Sequence, residues 1–161
     1  MSLKNVIVPV DFSENAMLLL DYAQDFSKTA GSRLRLLHVL EMTPYDVYQQ
    51  LGIFDSFPSA LLPGHETEDI SPQGIMEQAA KEAHNKLDEV AKKHGLTNYE
   101  VRVRIGKFIP EILDEIKTNR PDLVLMCTHG WTGLTHLLMG SNTEKFVRIS
   151  PVPVLTMRGK Q

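Results

Sequence analysis

Little in this chain supports covalent or metal chemistry. It has one cysteine, which excludes an intrachain disulfide framework and leaves a zinc site without a second thiolate. A single thiol suits a reducing compartment, and the cytoplasm is the expected location. No apolar run approaches the ~20 residues needed to cross a bilayer, so no membrane insertion is expected. Residues 1–5 run straight into a strand pattern and lack the apolar centre of a signal peptide. Neither sign of charge dominates: 17 Lys+Arg against 20 Asp+Glu give a formal net charge of −3. That balance argues against a nucleic-acid partner or a broad footprint on anionic lipid. The Gly-x4-Gly-Lys-Ser/Thr loop of P-loop ATPases is missing. No paired catalytic carboxylates and no nucleophile–base motif stand out, so binding is expected rather than catalysis.

What is present is a regular alternation of strand and helix patterns in 161 residues, the size of one domain. Asn5–Val10 is an apolar run read as a central strand, with Pro9 expected at its end because proline donates no ladder hydrogen bond. Ser13 is placed to cap a helix with apolar positions Ala16, Leu19, Leu20, Ala23, Phe26 and Ala30, closed by Gly31. Arg33–Leu40 is the second strand. Ser71-Pro72 opens a long helix with the stripe Met76, Ala79, Ala80, Ala83, Leu87, Val90 and Ala91, ending at Gly95. Tyr99–Ile105 alternates cleanly, so one of its faces should be less buried. Pro110 starts a helix carrying Ile112, Leu113 and Ile116. A strand at 122–126, a short helix after Ser141 and a last strand at 152–157 complete the order.

Strands alternating with helices imply right-handed βαβ units. The expected fold is a single-domain three-layer α/β/α sandwich around a five-stranded parallel sheet, in strand order 3-2-1-4-5. In such sheets ligands bind beyond the carboxyl ends of the strands where the order reverses. Asp11 and Cys127 both fall at strand carboxyl ends. Residues 41–73 break the rhythm, with Pro44, Pro58, Pro63 and Pro72 and with Gly52 and Gly64. Tyr45, Tyr48, Phe54 and Phe57 supply more apolar anchors than a free linker needs, and the segment is read as a partly ordered flap or insertion.

The richest motif is Cys127-Thr128-His129-Gly130, then nine residues, then Gly140-Ser141. It follows the apolar run at 122–126 and precedes a helix start. Glycines and a hydroxyl between a strand and a helix N-terminus present backbone N–H groups to an anion. The spacing closely resembles the Gly-x2-Gly-x9-Gly-Ser/Thr nucleotide motif of the universal stress protein family, with Cys127 in place of the first glycine. Val8-Pro9-Val10-Asp11-Phe12-Ser13 resembles the family's opening strand and turn, Leu37-His38-Val39 its second strand end, and Pro151–Val154 its last strand. The likeness covers nearly the whole chain.

The resemblance implies an adenine nucleotide, ATP or a relative, with magnesium as a candidate companion. It places Asp11 on the ribose, the backbone near Val39 on the adenine, and Gly130, Gly140, Ser141 and Asn142 on the phosphates and ribose. Pro9, Met126 and Cys127 complete the set of nucleotide-binding residues. It also implies a homodimer through the 152–157 edge, where Pro151 and Pro153 suit an edge strand with apolar residues on view. A second branch of the family lacks the motif and binds no ATP, so a nucleotide-independent dimeric interaction module acting on a client protein is the alternative function.

Each residue also has a structural role to play. Asp11 suits a turn cap as well as a ribose acceptor. Ser141-Asn142-Thr143-Glu144 reads as a capping box that would satisfy the helix N–H groups internally. A cysteine at the first glycine position adds volume where a ligand approaches, consistent with weaker ATP binding, a smaller nucleotide, or a merely lined pocket. His129 lies near Cys127 in sequence, but nothing orients it as a base. His38, His129 and His136 lack a metal-ligand spacing. A phosphoreceiver domain would need clustered acids and an Asp at the end of the third strand, where Ile105-Gly106 stands instead.

Overall fold

The computed structural model describes residues 3–42, 46, 72–128 and 141–158. Five strands, β1 (Asn5–Pro9), β2 (Arg33–Leu40), β3 (Tyr99–Ile105), β4 (Leu123–Cys127) and β5 (Val154–Met157), alternate with four helices. The helices are α1 (Glu14–Ala30), α2 (Pro72–Lys93), α3 (Phe108–Asn119) and α4 (Ser141–Ile149). The sheet is parallel throughout, in the order β3-β2-β1-β4-β5.

Two apolar layers sandwich it. On one face α1 and α2 pack Leu19, Leu20, Ala23, Leu87 and Ala91 against Val6, Val8, Leu34, Leu36 and Leu125. On the other, α3 and α4 bring Ile112, Ile116 and Phe146 against Ile7, Leu37, Val124 and Met126. Alternate residues of β1 and β4 therefore serve opposite cores, and both strands are buried on two faces.

Helix ends follow local chemistry. Ser13 caps α1, its Oγ accepting from the Ala16 amide at 3.2 Å, and Gly31 closes the helix at φ 66°, a left-handed turn that glycine adopts freely. The α3 start lacks a cap from its own Lys107; the Glu41 carboxylate, just past β2, accepts from the Phe108 amide at 3.0 Å instead.

Several sequence-based boundaries shift. Helix α3 begins two residues before Pro110, which sits in the first turn where its missing N–H costs nothing. β4 runs one residue later than expected, because Asp122 turns its carboxylate onto the Lys4 and Asn5 amides at 2.8 and 2.9 Å. β1 stops at Pro9 and β5 begins only at Val154, since the prolines at 151 and 153 donate nothing to the ladder. Of the stripe expected on α2, Ala83, Leu87 and Ala91 are buried, while Met76, Ala79, Ala80 and Val90 are half-covered. Phe26 is half-buried and Ala30 exposed. The expected flap at 41–73 lies almost wholly outside the described residues.

The exposed side of β3 is carried by charge. Arg35 donates to Glu115 at 2.9 Å and to Glu100, and Arg104 donates to Glu111 at 2.8 Å and to Asp114. Glu115 is only 3% exposed, so removing one partner would leave a buried charge uncompensated.

Phe146 is the anchor that seats α4, and with it the candidate motif, on the sheet; it is fully buried. Phe146→Ala should lower unfolding free energy by about 3–5 kcal/mol, measured by urea denaturation. A loss below about 1 kcal/mol would contradict this packing assignment.

Candidate functional site

The pairing of β1 with β4 sets the site. Val6 and Ile7 lie opposite Leu123 and Val124, so the two strands end side by side. The chain leaves β1 for β2 on one side, whereas β4 continues to β5 on the other. Their carboxyl ends thus flank the reversal of strand order, the crevice where open α/β sheets take ligands.

At the end of β1, Asp11 forms a tight turn with Ser13: its Oδ1 accepts from the Ser13 amide at 3.1 Å and the Ser13 hydroxyl at 2.6 Å. The capping role expected of Asp11 is therefore real, but it engages one carboxylate oxygen. The residue remains exposed, and Oδ2 has no partner among the described residues.

At the end of β4, Cys127 binds in two directions. Its Sγ donates to the Asn15 carbonyl at 3.0 Å, which ties the strand to the first turn of α1. Its carbonyl accepts from the Thr143 hydroxyl at 2.8 Å, which ties it to the first turn of α4. Burial, helped by the nearby Asp11 charge, pushes the thiol up to about 12. This is a packed hydrogen-bond donor and not an activated nucleophile. Its partner is a backbone carbonyl, and His129 lies outside the described residues.

Glu144 pairs with Arg148 at 2.9 Å, four residues on, and Thr143 turns back to β4. Ser141 opens the helix and Asn142 is exposed beside it. The leading amides of a helix have no intrahelical acceptors, so this end presents donors and the positive pole of the helix to the crevice.

The remaining residues divide by what they offer. Pro9 is half-buried at the end of β1, opposite Leu37 in register. Val39 is half-buried near the end of β2, opposite Arg104. Met126 is 4% exposed and its side chain belongs to the core under α3 and α4, so only its backbone faces the strand end. Gly130 and Gly140 lie outside the described residues, as does His136. His38 sits with Nδ1 2.7 Å from the Val10 carbonyl. Burial holds its imidazole below the ordinary range, against the opposing pull of the Val10 carbonyl and Asp11. No metal-sized group of His, Cys, Asp and Glu occurs among the described residues, and no helix there is long and apolar enough to cross a membrane.

Three contributors escape a reading of the sequence: the Asn15 carbonyl, the Thr143 hydroxyl and the left-handed turn at Phe12, whose φ is 59°. Thr143, two residues beyond Ser141 on a first helical turn, carries a faint signal. The other two depend on tertiary placement alone.

Comparison with known proteins agrees with this architecture. The model of the universal stress protein family matches residues 2–158. Universal stress protein MJ0577 of Methanocaldococcus jannaschii is 28% identical over 163 residues, covering 98% of this chain and 96% of the relative. A solved structure of MJ0577 superposes with a TM-score of 0.73 at 24% identity, covering 100% of this chain and 99% of that one. A universal stress protein solved in complex with cAMP gives 0.60 at 18% identity, with 98% of each chain covered. An Arabidopsis thaliana family protein with AMP bound gives 0.53 at 19% identity, covering 98% of this chain and 92% of that one.

In the folded protein Cys127 should react with a disulfide reagent at pH 8 about a thousand-fold more slowly than an ordinary thiol, because so little thiolate is present. Addition of denaturant should restore the ordinary rate. A native rate equal to the denatured one would contradict the buried Sγ–Asn15 arrangement.

Proposed function

The chain belongs to the universal stress protein family, and from that premise we propose that it binds an adenine nucleotide at the carboxyl ends of β1 and β4. The observation that carries this reading is a convergence. Cys127 joins β4 to the first turns of both α1 and α4, which sets the Asp11 carboxylate and the α4 N-terminus around one crevice. Asp11 supplies an acceptor for ribose hydroxyls, the part an acid plays in dinucleotide folds. The amides opening α4, at Ser141 and Asn142, with the glycines at 130 and 140, supply donors for phosphate. The backbone near Pro9 and Val39 lines the side on which an adenine would lie. Family members solved with cAMP and AMP bound support the ligand class. ATP is the nucleotide we favour, on the motif's spacing. Asp11 ends β1, while Glu41, just past β2, is engaged by the Phe108 amide, so magnesium would be held chiefly by the phosphates and water.

A nucleotide-independent interaction module is the second reading, and Cys127 is what favours it. Its side chain fills the position of the motif's first glycine, next to the crevice. On either reading we propose a cytoplasmic homodimer joined through β5. Leu155 on this edge strand is 47% exposed, and Ile149 at the end of α4 is 51% exposed; an uncovered apolar edge invites isologous pairing.

Calorimetric titration with ATP should show saturable binding. Asp11→Asn keeps an acceptor for Ser13 but removes the charge, and should weaken affinity about ten-fold. Gly140→Leu should abolish binding, and Cys127→Gly should strengthen it. No heat of binding up to millimolar ATP by the intact chain would defeat the nucleotide reading; affinity gained only in Cys127→Gly would favour the second. Light scattering should give a dimeric mass for the intact chain and a monomeric one for Leu155→Lys. A monomer at micromolar concentration in the intact chain ends the dimer proposal.

A further inference from the structure

Phe12 holds a backbone conformation that a bulky L-residue rarely takes. Its φ of 59° lies in the left-handed region, which disfavours side chains with a Cβ. Such a conformation persists where the surroundings over-determine it, and it clusters at functional sites. Here Phe12 packs against the core under α1 and α2, and two further groups meet its ring. The His38 imidazole has its centroid 4.6 Å away, tilted by 51°. The Lys86 ammonium, from the middle of α2, lies 4.4 Å from the ring centroid.

Neither contact is casual. His38 is itself fixed by its bond to the Val10 carbonyl. Lys86 is on the surface, one turn from Glu82, yet Glu82 accepts from Gln78 at 2.8 Å. Lys86 makes no ion pair among the described residues, and its ammonium lies over the ring, the arrangement that attracts a cation to an aromatic quadrupole. Its charge also reaches the imidazole, which it opposes in taking up a proton while Asp11 favours it. Lys86, Phe12, His38 and Asp11 therefore share one corner of the crevice.

The position of Phe12 in the chain gives this stack its consequence. Asp11 precedes it and Ser13 follows, and the two are bonded to each other across it. The left-handed turn at Phe12 thus decides where the Asp11 carboxylate stands. We propose that Lys86 is a positioning residue for the nucleotide site, seated on Phe12 so that the turn, and with it Asp11, is held ready before ligand arrives. This rests on the reading of Asp11 as the ribose acceptor. The clasp ties α2 to the end of β1 and lowers the ordering cost that binding would otherwise carry.

An exposed cation on an aromatic face corresponds to about a two- to five-fold change in an equilibrium constant. The test compares the intact chain with Lys86→Met, which keeps the apolar stem, and Lys86→Arg, whose guanidinium also stacks on rings. ATP affinity is measured by calorimetry, and hydrogen exchange is followed at the Ser13 and Ala16 amides, the donors of this turn. Lys86→Met should weaken ATP about two- to five-fold and release both amides by a similar factor, while the amides of β1 and β4 keep their protection. Lys86→Arg should restore both values. If the intact chain binds ATP and Lys86→Met binds it equally well, the clasp proposal is overturned and the site reading stands. If the intact chain binds no adenine nucleotide, the site reading falls and the role of Lys86 in binding falls with it. Unchanged exchange at Ser13 and Ala16 in Lys86→Met overturns the clasp whatever the nucleotide does.

Discussion

The hydrogen-bonded pairing of β1 with β4 is the constraint on which the candidate site depends, because it brings together two strand ends separated by more than a hundred residues of chain. A parallel sheet in the order β3-β2-β1-β4-β5 must diverge at that pair, and the divergence opens a crevice without any side chain being chosen to make it. The two apolar layers hold the pair in register, since β1 and β4 contribute to both cores. Chemistry is then added at the rim. Asp11 stands on one lip and the N-terminus of α4 on the other, joined through the Sγ and carbonyl of Cys127.

Cys127 stands where the family motif has its first glycine, and its surroundings are specific. The thiol does not project as a free group; it donates to the Asn15 carbonyl, and burial keeps it protonated. A glycine there would leave the crevice wider and the end of β4 less firmly tied to α1. The same residue therefore adds side-chain volume at the rim of the crevice while tying β4 to α1. Glu144 is a second such adjustment. Paired with Arg148, its charge is partly offset at the N-terminus of α4.

The sequence was most legible where burial dictates pattern. The apolar runs of β1, β2 and β4, the i, i+3, i+4 spacing of Leu19, Leu20 and Ala23, and the alternation of Tyr99–Ile105 each report one physical fact, the face that meets the core. Order of elements then predicts the sheet, and the sheet predicts the crevice. Legibility failed where a residue's role depends on a distant partner. Asp122 reads as the start of a strand until its carboxylate is found on the Lys4 and Asn5 amides. Phe12 gives no local sign that it will be left-handed, since the groups that hold it come from β2 and α2. The apolar stripe of α2 is likewise longer in sequence than the portion packed on the core.

The central claim is that this crevice is an adenine nucleotide site in the native protein. The most direct measurement is the content of the protein as it leaves the cell: purification without denaturant or dialysis against chelator, native mass spectrometry, then acid release and chromatographic identification of whatever small molecule is freed. The account predicts a released adenine nucleotide in near-stoichiometric amount, and its loss when Gly140 carries a bulky side chain. A natively purified protein whose mass equals that of the bare polypeptide, and which releases no adenine-containing compound, would contradict it.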